Sequence, residues 1–403
     1  MALPSPRSVI VAHRDCLMAR HARWLPGRCL AIVAFVLLAG TLLGCGQVGA
    51  APAPPWQLLG HSDDLSSLAF RDASHGWAVG SGHATFLETS DGGRTWRSAQ
   101  GRITPDTKVG SLPATLASLA LPAQVLSAGH TLFATTYGRA PSGAAATAAT
   151  PSLVLRSDDG NASWHVLLSL ARGDSVIYLA ASDARHLWAL CAPGRPDAPG
   201  PTYLLRSTDG GQRWTRLAGY GVFTAGGIGI QTPLLFADAR HGWSLYRRYE
   251  GAAWSVFRRT TDGGASWQRN AQPQVELSRC LAALGASRIW VGGDGRSVAG
   301  KPVGVLVSSS DGGRTWRREA NFPDASVSAV SFVDASDGWL VTSRPEGGGA
   351  IYATRDGGRT WRRELSSSAD EWRGQWMFQR AGRRLLASNG FLFYARSLPH
   401  MVP

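Results

Sequence analysis

Thr89–Trp96 reads TSDGGRTW, and the same pattern returns at Ser157–Trp164 (SDDGNASW), Ser207–Trp214 (STDGGQRW), Thr260–Trp267 (TTDGGASW), Ser309–Trp316 (SSDGGRTW) and Thr354–Trp361 (TRDGGRTW). Each copy is Ser/Thr-x-Asp-x-x-x-x-Trp, usually with two glycines after the aspartate. The aspartates are Asp91, Asp159, Asp209, Asp262, Asp311 and Asp356; the tryptophans are Trp96, Trp164, Trp214, Trp267, Trp316 and Trp361. A period of roughly 50 residues marks a repeat architecture. Within each copy the chemistry is local. An Asp carboxylate accepts hydrogen bonds from backbone N–H groups just downstream and closes a turn, and glycine supplies the positive φ that such a turn needs. Asn161, which replaces the second glycine in the second copy, tolerates that conformation best among other residues. The tryptophan then enters the next strand and packs on its own hairpin. Six carboxylates spread around a ring read as structural clamps, not as metal or substrate ligands.

A second element precedes the boxes: Phe70–Val79 (FRDASHGWAV), Phe236–Leu245 (FADARHGWSL) and Phe332–Val341 (FVDASDGWLV), with degraded copies around Trp188 and Trp290 and with Phe133 at the aromatic position of the second repeat. It reads as strand, Asp-containing turn, strand, and His75, His186 and His241 fall at equivalent turn positions as polar turn residues. Each repeat therefore supplies four strands, the content of one propeller blade. After the sixth box the chain offers three more strand-like runs, near 376–379, 384–388 and 391–396, but no seventh box. The run beginning Trp56-Gln57-Leu58-Leu59 resembles an exit strand without its first half. Joining the two ends completes a seventh blade, and pairing the chain ends removes the open edges of an incomplete ring. The expected fold is all-β, a seven-bladed propeller of four-stranded antiparallel blades over residues 56–403.

Composition agrees. The 403 residues are 44% hydrophobic and 17% charged, too apolar for a disordered polyelectrolyte, and 48 Gly with 16 Trp suit tight turns and flat, packed strands. The formal charge of +13 is arginine-dominated and scattered, which favours acidic partners without naming one.

At the N-terminus, arginines precede an apolar run, Leu30 to Leu43, that ends in Gly44-Cys45. The run is short of the roughly 20 residues of a membrane span and has the layout of an export signal. Leu42-Leu43-Gly44-Cys45 resembles the bacterial lipobox, which implies a removed leader over 1–44 and acylation of Cys45. Residues 45–55 then form a Gly/Ala/Pro tether. The expectation is an exported protein, lipid-anchored outside the cytoplasmic membrane or at the outer membrane. Cys191 and Cys280 remain as buried thiols, too few for a disulfide framework.

The six boxes are similar to the BNR or Asp-box repeats of sialidases, sortilin-type receptors and some glycanases. Together with the F-x-D-x-x-x-G-W strands, they most resemble the photosystem II stability and assembly factor family. That resemblance implies a non-catalytic, monomeric propeller that holds a membrane-protein partner and needs no cofactor or metal. The alternative is a glycan-binding or glycan-cleaving propeller. A sialidase needs an arginine triad and a Tyr/Glu pair, yet no Phe/Tyr-Arg-Ile-Pro segment occurs, and Tyr137 with Glu250 is the nearest pair. Glu319 and Glu364, in RRE runs, read as surface partners of arginine. Two carboxylates in a cleft flanked by exposed Trp254 and Trp372 would favour a glycanase. No G-x-S-x-G, H-E-x-x-H or P-loop motif is present. Nucleic acid is not expected, since no basic-aromatic stripe forms.

In a propeller the loops joining strands two to three and four to one share the face opposite the boxes. Gly101–Pro113, Gly138–Pro151, Ala192–Pro201 and Gly292–Pro302 read as long irregular segments of this class. They place the candidate partner-binding residues Arg102, Lys108, Arg139, Arg195 and Asp197 over blades one to three. Arg97, Arg317, Arg318, Arg362 and Arg363 fall on outer strands, where they protect edges or approach anionic headgroups.

Overall fold

The computed structural model describes residues 56–398 except 62–64, 81–84, 105–111, 113, 120–121, 139–150, 171–173, 194–200, 223–233, 251, 270, 298, 368–371, 373–375 and 390–391. The expected leader, Cys45 and the tether lie outside the described residues. Seven small antiparallel sheets form a ring. Blade one runs Leu65–Phe70, Gly76–Gly80, Thr85–Thr89 and Arg97–Ser98, from innermost to outermost strand. Blades two to six follow over 122–170, 175–222, 234–269, 277–323 and 326–367 in the same strand order.

Blade seven closes the ring as expected. Met377–Ala381, Arg384–Ser388 and Leu392–Ser397 supply three strands, and Trp56–His61 is the fourth, antiparallel to the third with Trp56 opposite Arg396. Ring closure thus rests on a pairing between the two ends of the fold. Blade two differs by a fifth strand. Arg102–Ile103, from the linker after blade one, pairs parallel to the outer strand, with Ser163 opposite Arg102.

The F-x-D-x-x-x-G-W pattern follows from packing across the first hairpin. Phe70 pairs with Gly76 and Phe332 with Gly338, and the phenyl ring lies flat over the glycine. A Cβ on Gly76, Gly242 or Gly338 would sit 2.5, 2.4 or 2.5 Å from that ring, inside any allowed contact. The same Phe also packs edge-on against the box tryptophan of its own blade, as Trp96–Phe70 (6.1 Å), Trp267–Phe236 (6.1 Å) and Trp361–Phe332 (6.1 Å). Its other side meets the preceding blade: Trp188 stacks on Phe236 at 3.6 Å and Trp290 on Phe332 at 3.7 Å. Trp164, Trp188, Trp243 and Trp339 are fully buried, and these aromatic layers form the core between blades.

Three readings of the sequence need correction. Gly292–Pro302 is not a long loop: strands run through Arg288–Arg296 and Pro302–Ser309, joined by a short turn in which Ser297 N–H donates to Lys301 C=O at 2.9 Å. Its glycines serve close packing instead, since a Cβ on Gly293 would lie 2.0 Å from the Leu277 carbonyl oxygen. Glu319 and Glu364 are not surface residues; their side chains are 3% and 0% exposed. Each sits at a break in the outer-strand register, between Arg318 and Ala320 and between Arg363 and Leu365. A bulge there turns the third residue of the RRE run inward. Trp372 is also fully buried, tilted against Trp376 with ring centroids 4.5 Å apart and donating from Nε1 to Thr342 C=O at 3.3 Å.

Candidate functional site

The boxes lie on one face and fasten the turns beside them. In the first, Asp91 Oδ1 accepts from Thr89 Oγ1 (2.8 Å), Arg94 N (2.9 Å) and Thr95 N (3.0 Å), while Oδ2 accepts from Thr95 Oγ1 (2.6 Å). The Thr89 hydroxyl in turn accepts from Gly93 N–H at 3.0 Å. Asp311 repeats the set through Ser309, Arg314 and Thr315, and Asp356 through Thr354 and Thr360. Asp159, Asp209 and Asp262 also accept from the hydroxyl two residues before them and from backbone N–H four residues after. Partial burial raises the Asp91 pKa, but the Thr95, Thr89 and Arg94 donors outweigh it and hold the carboxyl at about 2. Hydrogen bonding from Thr315 leads in lowering Asp311 and hydrogen bonding from Thr360 leads in lowering Asp356. Both are direct consequences of donors aimed at the charged form.

In five of the six boxes the first glycine N–H reaches the neighbouring turn. Gly92 donates to Ser74 C=O (2.8 Å), Gly210 to Arg185, Gly263 to Arg240, Gly312 to Ser287 and Gly357 to Ser336. That link fixes the boxes and the strand-one-to-two turns on the same face. In those turns Asp72, Asp183 and Asp238 each accept from two backbone N–H groups and from Nδ1 of His75, His186 or His241 at 2.8 to 3.1 Å. The three histidines are therefore turn residues, as their spacing implied. Asn161 has φ of 83°; its Oδ1 accepts from Trp164 Nε1 at 2.8 Å and its Nδ2 donates to Glu88 of blade one.

Arginines and tryptophans missed as a pattern in the sequence tie the boxes of blades three, four and five to the preceding blade. Arg156 Nη1 donates to Ala184 and Gly210 carbonyls at 2.8 and 3.1 Å. Arg206 Nη1 donates to Asp262 and Gly263 carbonyls at 3.1 and 3.3 Å, and Trp188 Nε1 to Gly263 C=O at 2.9 Å. Trp243 Nε1 donates to Gly312 C=O at 3.1 Å. The detectable signal was an arginine three positions before the box aspartate in copies two, three and four.

On the opposite, loop face, several of the described carboxylates are partnered. Tyr203 donates to Asp174 Oδ2 at 2.8 Å, with the Arg216 guanidinium over its ring at 4.2 Å; Arg279 pairs with Asp294 at 2.8 Å and Arg296 with Glu276 at 3.1 Å. Tyr137 is 43% exposed there, whereas the side chains of Glu250 and Trp254 lie outside the description. Cys191 and Cys280 are both buried and unpaired with one another, and burial pushes each thiol up to about 12. Among the described residues no three His, Cys, Asp or Glu side chains are placed to hold a metal ion.

Of the candidate partner-binding residues, Lys108, Arg139, Arg195 and Asp197 lie outside the described residues. Arg102 is exposed, but on the other face. Its N–H donates to Ala162 C=O of the second box at 3.0 Å, and it flanks Trp164 on the outer edge of blade two. Pairing with Ser163 at the start of the outer strand, beside the box turn, removes Arg102 from the loop face.

The sequence profile described as "Photosynthesis system II assembly factor YCF48" matches residues 230–393, blades four to seven. No curated protein matches the sequence. Among solved structures, YCF48 bound to D1 peptide is 16% identical with a TM-score of 0.52, over 85% of this chain and 97% of that one. YCF48 from Cyanidioschyzon merolae is 16% identical with a TM-score of 0.51, over 86% and 99%. The GH74 xyloglucanase from Xanthomonas campestris is 17% identical with a TM-score of 0.53, over 86% of this chain but 54% of that enzyme. Such identities establish the fold and leave function to the residues. With its six boxes and closed ring of seven blades, the chain is a BNR-type β-propeller similar to the photosystem II assembly factor.

Proposed function

We propose that the protein is a non-catalytic, extracytoplasmic scaffold that is lipid-anchored through Cys45 and binds a protein partner on its loop face. The observation that carries this reading is the commitment of every box carboxylate to its own turn, so the repeated residues build the ring rather than react. A similar propeller is known in complex with a peptide, which supports protein recognition by this kind of scaffold. Lys108, Arg139, Arg195 and Asp197 are the charged groups proposed to engage the partner; long loops on a rigid ring are the usual seat of recognition. The test is a pull-down from solubilised membranes with wild type, Cys45→Ala and the double variant Arg139→Glu/Arg195→Glu. The double variant loses the partner, whereas Cys45→Ala keeps it but leaves the membrane fraction. Undiminished capture by the double variant would refute the loop-face assignment.

A second reading is favoured by the likeness to the GH74 xyloglucanase. It places glycan in the loop-face cleft, cleaved by a carboxylate pair. Trp372 cannot serve that cleft, being fully buried. Release of reducing ends from xyloglucan by the purified protein would establish this reading over the first.

A further inference from the structure

Arg156 and Arg259 occupy equivalent positions, three residues before the box aspartates of blades two and four. In blade two every N–H edge of the guanidinium is used. Nη1 reaches the next blade, while Nε and Nη2 grip both oxygens of Asp158 at 2.7 and 2.9 Å. In blade four the residue matching Asp158 is Thr261, which carries no carboxylate. Arg259 points its Nη1 at the Asp311 carbonyl oxygen at 3.4 Å, is only 7% exposed, and its buried Nε has no hydrogen-bond partner. A buried, charged N–H without an acceptor is rare and costly.

Two further guanidinium groups converge on this spot. Arg314 Nη1 donates to the same Asp311 carbonyl oxygen at 3.1 Å, and Arg240 Nε to the Thr261 carbonyl oxygen at 3.4 Å; both arginines are exposed. Asp262 and Asp311 soften the positive field, but their oxygens accept from their own turns. The site therefore selects by hydrogen-bond direction as much as by charge.

We propose that the exposed guanidinium groups of Arg314 and Arg240, set beside the buried and incompletely partnered Arg259, receive a carboxylate from an acidic segment of a protein partner, the charge that Asp158 supplies within blade two. The in-chain Arg156–Asp158 pair supplies the precedent for the ligand: a planar carboxylate taken by a guanidinium edge in a two-point, charge-assisted contact. This site is on the box face, opposite the loops, so its test is separate from that of the loop-face partner.

The experiment uses the purified full chain in detergent and fluorescein-labelled hexaglutamate, followed by fluorescence polarisation, with hexaglutamine as control. Thr261→Asp supplies the missing carboxylate internally. It should weaken hexaglutamate binding by about tenfold or more, the scale of one charge-assisted bidentate contact, while melting at or above the wild-type temperature. Arg314→Gln, at an exposed position, should weaken binding severalfold with an unchanged melting temperature. The proposal is overturned if both variants bind hexaglutamate like wild type, or if wild type does not prefer it to hexaglutamine. Binding of inorganic phosphate without binding of hexaglutamate would equally overturn it, in favour of a phosphate site.

Discussion

At the junction of blades three and four, Trp188 and Arg206 donate to the carbonyl oxygens of Gly263 and Asp262 in the next box. At the junction of blades six and seven, the equivalent Trp339 meets no box, because the seventh blade has none. Its Nε1 donates instead to Glu364 Oε2 at 3.3 Å. Arg396 of blade seven binds the same carboxylate through Nε (2.8 Å) and Nη2 (2.7 Å), and Trp56 of the closing strand donates to it at 3.0 Å. One junction is made from dispersed backbone dipoles, the other from a single buried charge. The difference teaches where the ring is vulnerable. Box junctions share their load among separate bonds to backbone carbonyls, whereas the closure depends on one side chain that joins strands from both ends of the fold.

The largest effect should therefore come from Glu364→Ala. It strands Arg396, itself 7% exposed, beneath Trp339, and removing one partner of a buried ion pair costs about 3–5 kcal/mol. Urea unfolding followed by tryptophan fluorescence measures the loss. A cost below about 1 kcal/mol would show that closure rests on apolar packing of Trp56, Trp372 and Trp376 alone.

Next in size is Gly338→Ala in boxed blade six. The new methyl would fall 2.5 Å from the Phe332 ring, and this ring is held on both sides by Trp290 and Trp361. Overpacking of that kind costs about 1–3 kcal/mol. Phe332→Leu in the Gly338→Ala background should recover part of it, since the smaller side chain yields room; no recovery would assign the defect to the backbone.

A smaller effect belongs to any one box. Asp311→Ala removes an acceptor for two backbone N–H groups and two hydroxyls, but the turn is at the surface and water replaces the carboxylate. Loss of such a capping acceptor costs about 0.5–2 kcal/mol. Thermal unfolding of Asp311→Ala beside Glu364→Ala tests the ranking directly; equal losses would erase the distinction between the two kinds of junction.

How much of this was legible in the sequence follows the same division. The boxes and the F-x-D-x-x-x-G-W strands are read from residues because their chemistry is local: Asp91 bonds atoms within four positions of itself, and Phe70 covers a glycine six positions on. The blade count was legible from Trp56 and the C-terminal strands once the missing half-blade was noticed. Glu364 was not, because its partners Trp56 and Arg396 are distant in sequence and a bulge reverses the strand alternation that made it look exposed. Arg102 was misplaced for a related reason: a linker's path depends on the blade edge it lies on. Nor could the glycines of 292–295 be told from turn residues, since their role is set by the Leu277 backbone across the hairpin.

The smallest effect, spread over the whole box face, is a dependence on pH. Asp72 and Asp91 are held at about 2 in the folded protein against an ordinary 3.8, and the other box aspartates are shifted the same way. A carboxyl whose folded pKa lies below its unfolded value binds fewer protons when folded. Its contribution is complete above about pH 4 and is lost as pH falls toward 2. The melting temperature should accordingly hold steady from pH 7 to 5 as far as these groups decide it, then drop between about pH 4 and 2. Asp311→Asn should make that acid slope shallower, because one of the depressed carboxyls is gone while the turn keeps an acceptor. A melting temperature that does not fall between pH 4 and 2, or an unchanged slope in Asp311→Asn, would mean that the clamps work by shape alone and that their charge adds nothing to the boxed blades.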